Sequence, residues 1–316
     1  MKAVIIEDFG GVEKLKLTDV PVPPLGDNEV QIKIIYAAVN PVDWKIREGL
    51  LKSRMPYEFP IIPGWDAAGK ISALGKNVKN FKVGNEVFAY CRKSTMKWGT
   101  YAEFMNVDAS YVTLKPKKLN FAEAATIPLA GLTAWQALFD LAKLKKGETI
   151  LIHAGAGGVG SLAIQFAKNA GAIVYTTASE ANFSYVKELG ADEVLDYKKE
   201  DFVKKIKSLQ PDGIDVVFDT VGGNTLLESV KVLKKGGRIV SLLEQLPKEI
   251  ADKYKIQAYY MFVSPNGAQL KQIADLIDQG KVQPPKIEEF PLKDAGLAQE
   301  KLRQGSGGGK IVLKIT

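Results

Sequence analysis

The stretch LIHAGAGGVGSLAIQFAKNAGA at residues 151–172 constrains the fold more than any other part of this chain. It opens with an apolar run, breaks into glycines, and continues with apolar residues at helical spacing. Gly155, Gly157 and Gly160 have the spacing G-x-G-x-x-G, and Gly158 is an additional glycine. Glycines at this spacing between a strand and a helix are typical of proteins that bind a dinucleotide.

Each glycine in this motif has its own expected use. Gly155 would permit a tight turn after the strand, Gly157 would let the backbone approach a pyrophosphate, and Gly160 would let the helix pack closely. The helix that begins near Gly158 and Val159 would present free N–H groups and a partial positive charge to phosphate oxygens. The motif therefore predicts a dinucleotide cradle, and a glycine-rich turn without a ligand is the alternative.

The pattern of apolar runs differs between the two halves of the chain. Beyond about residue 118, β-like runs alternate with helix-like stretches, which predicts an α/β domain with a Rossmann doubly wound parallel sheet. Before it, short β-like runs separated by breakers such as PVPPLGDNE predict a mostly β domain. The final β-like runs are expected to return to the first domain. The predicted domains are 1–118 completed by 281–316, and 119–280.

Composition excludes several classes of protein. The formal net charge is +7, but Lys and Arg are scattered among acids without a basic block, which disfavours nucleic acid as a partner. The single cysteine, Cys91, cannot form an internal disulfide, and the N-terminus lacks the pattern of a secretory signal. No apolar run reaches the roughly 18 residues of a membrane span. A cytoplasmic protein without membrane segments is predicted.

Cysteine and histidine are too few for a zinc site. Zinc prefers about four Cys, His or carboxylate ligands, and this chain offers only Cys91 and His153 beside its carboxylates. A Ser-His-Asp hydrolase would have to use the same His153, which directly precedes the glycine motif and is interpreted as a hydrogen-bonded residue at a strand end. No metal site is predicted.

Seven segments spread over nearly the whole chain share one family pattern. They are AAVNPVDWKIREG at 37–49, PIIPGWDAAGKI at 60–71, FKVGNEVFAY at 81–90, GTYAEF at 99–104, LAGLTAWQAL at 129–138, HAGAGGVGSLAIQFAK at 153–168 and LGADEVLDY at 189–197. Together they resemble the zinc-independent quinone oxidoreductase branch of the medium-chain dehydrogenase/reductase superfamily. The resemblance implies a GroES-like first domain, a Rossmann domain, a cleft between them, and a homodimer or homotetramer.

The resemblance also shows where zinc-using relatives differ. They place a cysteine near the position of Asn40, and a Gly-His-Glu where this chain has Gly64, Trp65 and Asp66. Catalysis without a metal is therefore expected. Trp65 is interpreted equally well as a pocket wall or as a packing residue, and Asp66 as a residue that fixes a loop.

The resemblance implies three catalytic residues, Asn40 and Asp43 in NPVD and Tyr57 in the segment before PIIPGWD. The Tyr57 phenol would orient or protonate a carbonyl, and the Asn40 amide can donate and accept hydrogen bonds. The alternatives are a loop-filling aromatic for Tyr57 and a turn cap before Pro41 for Asn40. Asp43 is interpreted equally well as structural.

The cofactor predicted from these patterns is NADPH. NAD-binding proteins usually hold the ribose 2′-hydroxyl with an acid about 20 residues beyond the motif, but the second strand ends YTTAS, and Glu180 is interpreted as part of the first turn of a helix capped by Ser179. Many relatives carry a basic residue where this chain has Asn182, which leaves NADH open. The predicted cofactor-binding residues are Thr133, Gly155, Gly157, Gly158, Val159, Gly160, Ser179, Asn182, Tyr197, Val221, Ser241 and Leu243.

The predicted function is transfer of hydride from NADPH to a quinone. Reduction of an α,β-unsaturated carbonyl, an alkenal or enone, is the alternative, because both reactions need a flat electron-poor acceptor beside the nicotinamide. A third possibility is a sensor that binds NADPH without efficient turnover. The sequence does not identify the acceptor, the proton donor or the size of the oligomer.

Overall fold

A six-stranded parallel sheet occupies the centre of the second half of the chain in a computed structural model, which describes residues 1–305 and 307–316. By compactness the chain divides into a first unit, Met1–Leu132 with Pro265–Thr316, and a second unit, Thr133–Ser264. The predicted fold class, a Rossmann sheet plus a mostly β domain, is confirmed.

The second unit has the strand order of a doubly wound sheet. Its strands are β8 (Thr149–Ile152), β9 (Ile173–Ala178), β10 (Glu193–Asp196), β11 (Ile214–Asp219), β12 (Leu233–Ser241) and β13 (Gln257–Tyr260). They are arranged β10-β9-β8-β11-β12-β13, and all neighbours are parallel. The order reverses between β8 and β11, and a crevice outside the carboxyl ends of the strands at such a point is where doubly wound sheets bind ligands.

Helices connect these strands because the intervening segments have apolar residues at helical spacing. They are α4 (Gly158–Asn169), α5 (Phe183–Glu188), α6 (Phe202–Leu209), α7 (Gly223–Ser229) and α8 (Lys248–Tyr254). In α4, the residues from Gly160 to Ala167 are all buried. One core of this unit includes Leu151, Leu195, Val217 and Ile239 from four of the strands.

The first unit is mostly antiparallel β-structure. Its strands are β1 (Lys2–Ile5), β2 (Lys16–Asp19), β3 (Glu29–Val39), β4 (Asp66–Leu74), β5 (Glu86–Tyr90), β6 (Phe104–Asp108), β7 (Val112–Leu114), β14 (Ile287–Pro291) and β15 (Lys310–Lys314). The larger sheet runs β14-β15-β3-β4-β5-β7, with β6 also paired to β3, and β1 pairs with β2. Strand β15, from the end of the chain, is antiparallel to β3.

Short helices complete the first unit. They are α1 (Pro41–Arg47), α2 (Phe121–Ala125), α9 (Gly267–Asp278) and α10 (Ala295–Gln304), while α3 (Pro128–Trp135) crosses the sequence limit between the units. Segments 119–132 and 265–280, predicted from the sequence to be part of the Rossmann domain, belong to this unit in the structure. The reason is packing, since α2 contacts β3 and β4 and α9 contacts β7. The predicted domain limits, 1–118 with 281–316 and 119–280, stay a prediction.

The described residues contain neither a membrane-spanning helix nor a group of side chains that could bind a metal. No helix in 1–305 or 307–316 has the length and apolarity needed to cross a membrane. Within the same residues, no three His, Cys, Asp or Glu side chains gather as a group that could hold a metal ion.

Candidate cofactor-binding site

The glycine motif forms the connection between β8 and α4, as predicted. Ala154 has φ of 53°, in the left-handed region, and its carbonyl oxygen accepts a hydrogen bond from Gly157 N–H at 3.0 Å. The residue of positive φ at this turn is Ala154 and not Gly155. Left-handed backbone is uncommon for residues other than glycine.

Close packing explains why residue 155 is glycine. A Cβ atom there would lie 2.9 Å from Ile164 Cδ1 and would overlap Thr176 Oγ1, whose hydroxyl donates to the Ile152 carbonyl at 2.8 Å. Cβ atoms in real proteins essentially never approach other atoms so closely. Gly155 therefore lets the turn lie directly against β9 and α4.

Gly160 has the packing role that the motif predicts. A Cβ atom on Gly160 would lie 2.8 Å from Gly155 Cα and would overlap the Ala154 carbonyl oxygen. The first turn of α4 is thereby held against the loop that precedes it.

The N-terminus of α4 suits an anion. Gly157 is the N-cap residue and makes no side-chain cap, and its carbonyl accepts from Ser161 N–H at 2.9 Å. The N–H groups of a helix's first turn have no carbonyl partners within the helix and lie at its positive end. Among the described residues, a Cβ atom on Gly157 would meet only the Ala154 carbonyl oxygen, at 3.3 Å, which is a tight contact but not an overlap. These residues fit the diphosphate of a dinucleotide.

His153 is a buried structural residue, as the sequence indicates. Its Nδ1 lies 3.3 Å from Thr177 Oγ1 and its Nε2 lies 2.9 Å from Ser229 Oγ. Burial lowers the pKa of the imidazole to about 4, against an opposite effect of the Asp219 charge. A neutral, hydrogen-bonded imidazole joins β8, β9 and α7.

The carboxyl ends of β11 and β12 meet at Asp219, which was not among the residues predicted from the sequence. Its Oδ1 accepts from the N–H groups of Val221 and Gly222, both at 3.0 Å, and its Oδ2 accepts from Ser241 Oγ at 2.8 Å. The pattern DTVGG, a carboxylate at a strand end before glycines, is the sequence signal that indicates such a turn. Asp219 thus fixes the positions of Val221 and Ser241.

Val221 and Leu243 differ from Ser241 in exposure. Val221 and Leu243 are 45 % and 39 % exposed, whereas Ser241 is buried. Two apolar side chains therefore border the carboxyl ends of β11 and β12, while the Ser241 hydroxyl is directed at Asp219.

The tips of β9 and β10 carry the other predicted polar residues. Asp196 is in register with Ala178, so Ser179 and Tyr197 follow their strands at equivalent positions. Ser179 is the N-cap of a 3-10 turn without a side-chain cap, and its Oγ instead accepts from Asn182 Nδ2 at 3.1 Å. Tyr197 is 59 % exposed. These hydroxyl and amide groups lie at the same edge of the sheet as the glycine turn.

The charges near these tips are mixed. Glu180 lies in the first turn after Ser179, as interpreted from the sequence, and forms an ion pair with Lys199. Lys198 is exposed, with Nζ 5.9 Å from the centre of the Tyr197 ring.

Thr133, predicted to bind the cofactor, is buried in α3.

In the first unit, Asn40 and Asp43 form the start of α1. Asn40 is the N-cap residue before Pro41, and its N–H donates to Asp43 Oδ2 at 2.8 Å. Tyr101 donates its hydroxyl to the same Oδ2 at 2.9 Å. Burial raises the pKa of Asp43 to about 7, and its Oδ1 has no hydrogen-bond partner among the described residues. Asn40 therefore has the capping position that was its alternative interpretation.

Asp66 and Lys310 complete this buried cluster. Asn40 Nδ2 donates to Asp66 Oδ2 at 2.9 Å, and Leu129 N–H donates to Asp66 Oδ1 at 2.7 Å. Lys310 donates to Asn40 Oδ1. Burial raises the pKa of Asp66 to about 6, although Lys310 opposes the change. Sequence reasoning missed Lys310 and Tyr101, because nothing in GGKIVLKIT or GTYAEF distinguishes a buried polar residue from an exposed or apolar neighbour.

Tyr57 and Trp65 have different environments. Tyr57 is 44 % exposed and packs edge-on against Phe9 and Phe59, with ring centres 5.0 Å and 5.5 Å away. Trp65 is buried and packs against Tyr90 at 6.1 Å. Of the three predicted catalytic side chains, Tyr57 alone is exposed, since Asn40 and Asp43 are buried.

The chain matches known protein families over both parts of its length. Residues 26–117 match the alcohol dehydrogenase GroES-like domain family, and residues 189–313 match the zinc-binding dehydrogenase family. The chain is 36 % identical to the quinone oxidoreductase of Coxiella burnetii, with a TM-score of 0.89 and coverage of 100 % of this chain and 99 % of that one. It belongs to the zinc-independent quinone oxidoreductase branch of the medium-chain dehydrogenase/reductase superfamily.

Two further members of the superfamily are similar along most of their length. The chloroplastic NADPH-dependent alkenal/one oxidoreductase of Arabidopsis thaliana is 38 % identical over 99 % of this chain and 79 % of its own. The Escherichia coli quinone oxidoreductase, solved in complex with NADPH, is 28 % identical, with a TM-score of 0.88 over 100 % of both chains.

Proposed function

We propose that this protein is an NADPH-dependent oxidoreductase that transfers a hydride to a quinone. The observation that carries the proposal is the glycine turn between β8 and α4, at the point where the strand order of the parallel sheet reverses. Similarity to the quinone oxidoreductases of Coxiella burnetii and Escherichia coli, the second of which was solved with NADPH, supports it.

The cofactor would lie along the carboxyl edge of the parallel sheet. The N–H groups of Gly158, Val159 and Gly160, at the positive end of α4, would hold its diphosphate. Gly155 and Gly157 would shape the turn, because their own N–H groups donate to the Thr177 and Ala154 carbonyls. When bound, NADPH supplies the hydride, and the protein supplies orientation and electrostatics.

The remaining predicted residues would recognise other parts of the cofactor. Ser179, Asn182 and Tyr197 follow β9 and β10, and they would hydrogen-bond the 2′-phosphate. The turns that Asp219 fixes would place Val221, Ser241 and Leu243 beside the ribose and nicotinamide. Thr133 would contribute from α3.

Three side chains of the first unit are proposed to act on the acceptor. The exposed Tyr57 phenol would donate a hydrogen bond to the acceptor's oxygen and stabilise the negative charge that develops there. Asn40 and Asp43 would act from the buried start of α1, and Asp43, whose pKa is about 7, can hold or release a proton near neutral pH. Because both side chains are buried, their proposed role is to shape the acceptor's surroundings without contacting the acceptor.

A second candidate function is the reduction of an α,β-unsaturated carbonyl. The observation that favours it is the 38 % identity to the NADPH-dependent alkenal/one oxidoreductase of Arabidopsis thaliana. Reduction of an α,β-unsaturated carbonyl by this chain would use the same cofactor residues and the same hydrogen-bond donor, Tyr57, because negative charge again develops on a carbonyl oxygen. A cytoplasmic location and assembly as a homodimer or homotetramer are further predictions that belong to this proposal.

The experiment is a steady-state comparison of acceptors. Metal-free protein is mixed with NADPH and a series of quinones and short alkenals, oxidation of the cofactor is followed by absorbance, and the series is repeated with NADH. Turnover of quinones with a preference for NADPH supports the proposal, and turnover of alkenals alone supports the second candidate. Saturable NADPH binding without oxidation by any acceptor would contradict both enzyme functions and favour the third possibility, a sensor that binds NADPH without efficient turnover. Addition of zinc serves as the control for metal dependence.

A further inference from the structure

Lys310 has its ammonium group inside the first unit. The residue is 6 % exposed and begins β15, whose pairing with β3 brings it beside Asn40. Its Nζ donates to Asn40 Oδ1, lies 3.4 Å from the Val39 carbonyl oxygen, and lies 3.8 Å from Asp66 Oδ2. Buried lysines are rare unless they are paired, so this position needs the partners that surround it.

These partners determine how the Asn40 amide is oriented. Its Oδ1 accepts from Lys310, and its Nδ2 donates to Asp66 at 2.9 Å. An amide presents an acceptor at one end and donors at the other, so its neighbours select one of two orientations. A cation at one end and a carboxylate at the other make the reversed orientation unfavourable.

The same cation balances two buried carboxyl groups. Asp43 on α1, Asp66 on β4 and Lys310 on β15 lie together with the Tyr101 hydroxyl. Burial raises the pKa of both carboxyl groups, and the Lys310 charge lowers both. Burial also raises the pKa of Tyr90 and of Cys91, and the Asp66 charge acts in the same direction on both, so both stay neutral.

We infer that Lys310 is a positioning residue for the proposed reduction, since its ammonium group holds the Asn40 amide in one orientation and balances the charge of Asp43 and Asp66. The inference rests on the proposed function, in which Asn40 and Asp43 shape the acceptor's surroundings. Lys310 acts through these neighbours and does not itself contact the acceptor. Loss of its charge changes the proton content of Asp43 as well as the geometry of Asn40.

The test compares Lys310→Met and Lys310→Arg with Lys314→Met, a matched control at an exposed lysine of the same strand. Lys310→Met is expected to lower kcat about tenfold, while the Kd for NADPH stays within about twofold. Without the cation the pKa of Asp43 is expected to rise, so the limb of the kcat–pH profile that Asp43 governs moves to higher pH. Lys310→Arg restores the position of that limb, and Lys314→Met matches the wild type.

A second pair keeps the test decisive if Lys310→Met does not fold. Asp66→Asn and the double variant Asp66→Asn/Lys310→Met differ only in the cation, and the double variant leaves no unpaired ammonium inside the protein. The double variant is expected to have the lower kcat and the higher pH limb. Equal profiles for these two proteins would overturn the inference.

A readout that needs no turnover separates this inference from the proposed function. Carbon-13 NMR of aspartate-labelled protein, with Asp43 assigned through Asp43→Asn, follows the titration of Asp43 directly. A wild type that oxidises no acceptor contradicts the proposed function, whereas the NMR titration still decides whether Lys310 controls Asp43. An unchanged Asp43 titration in Lys310→Met, together with kcat within about twofold of the wild type, would refute the role of Lys310.

Discussion

Gly155 Cα would lie 2.8 Å from a Cβ atom on Gly160, so these two glycines bring the turn and the helix together at a distance that no larger residue permits. The contact positions the first turn of α4, whose N–H groups we propose as the diphosphate site. Gly155 and Gly160 are therefore needed for packing, whereas a Cβ atom on Gly157 would make only one tight contact in the described part of the chain, with the Ala154 carbonyl oxygen at 3.3 Å.

This separation predicts different effects of two alanine substitutions. Gly160→Ala forces the helix away from the turn and is expected to lower the free energy of unfolding by about 1–3 kcal/mol, the usual cost of overpacking. It should also weaken NADPH binding, because the N–H groups move. Denaturant titration and calorimetry of cofactor binding measure the two effects.

Gly157→Ala is the matched comparison. The nearest atom to the added Cβ is 3.3 Å away, so a small shift accommodates it, and the free energy of unfolding is expected to change by less than about 1 kcal/mol. The methyl group would nevertheless stand where a diphosphate approaches the backbone, and the Kd for NADPH is expected to rise about tenfold or more. Unchanged affinity in Gly157→Ala would contradict the cradle.

Sequence patterns were sufficient for the parts of the fold that depend on periodicity. The alternation of apolar runs and helical stretches predicts the parallel sheet, and the glycine spacing places the turn correctly between β8 and α4. The use of each glycine was less predictable. Positive φ falls on Ala154 and not on Gly155. Residue 155 must be glycine for a different reason, the close approach of Thr176 and Ile164, which is a long-range packing contact.

Long-range contacts also explain what the sequence did not reveal about the polar clusters. Lys310 and Asn40 are 270 residues apart, and only the pairing of β15 with β3 brings them into contact. The motif NPVD marks Asn40 and Asp43, but it gives no sign that both are buried with Asp66. Likewise, the polar groups that Asp219 binds come from two neighbouring strand ends.

The hydrogen bonds of Asp219 predict a graded loss of stability. Asp219→Ala removes the acceptor of two backbone N–H groups and of the Ser241 hydroxyl, and it is expected to lower the free energy of unfolding by about 2–4 kcal/mol. Asp219→Asn keeps one acceptor oxygen and should cost about half as much. Ser241→Ala, which removes a single hydrogen bond, should cost about 1 kcal/mol. Denaturant unfolding of the three variants checks this order, and equal costs would show that Asp219 does not organise the two strand ends.

The position of Asn182 indicates how the preference for NADPH over NADH can be changed. Its amide lies beside Ser179 after β9 and carries no charge. Asn182→Arg would add a charge-assisted, bidentate partner for a 2′-phosphate, and the ratio of affinities for NADPH and NADH is expected to rise about tenfold. Asn182→Asp should lower the same ratio through repulsion. Calorimetric Kd values for both cofactors measure the ratio.

A matched substitution identifies a nonspecific effect of charge. Lys199 pairs with Glu180 near the same strand tip, so Lys199→Gln removes one positive charge from the region while Asn182 and Ser179 are left in place. Its affinity ratio is expected to stay within about twofold of the wild type. A change as large as that of Asn182→Asp would show that the general field, and not contact at Asn182, sets the preference.

His153 predicts a dependence of stability on pH. Burial lowers its pKa to about 4 in the folded protein, from 6.5. Since the unfolded chain binds the proton more tightly, the contribution of His153 to stability is fully present above pH 6.5 and is lost as the pH falls toward 4, by about 3 kcal/mol in total. His153→Gln can keep partners on Thr177 and Ser229, and its stability should fall less over this range. Denaturant unfolding of the wild type and of His153→Gln at pH 7 and at pH 5 gives the loss of stability of each protein. Asp43 and Asp66 titrate in both proteins, so their contribution cancels when the two losses are compared. Because the chain contains one histidine, its imidazole NMR signals also report this pKa directly, and a titration midpoint near 6.5 would contradict the buried, neutral state.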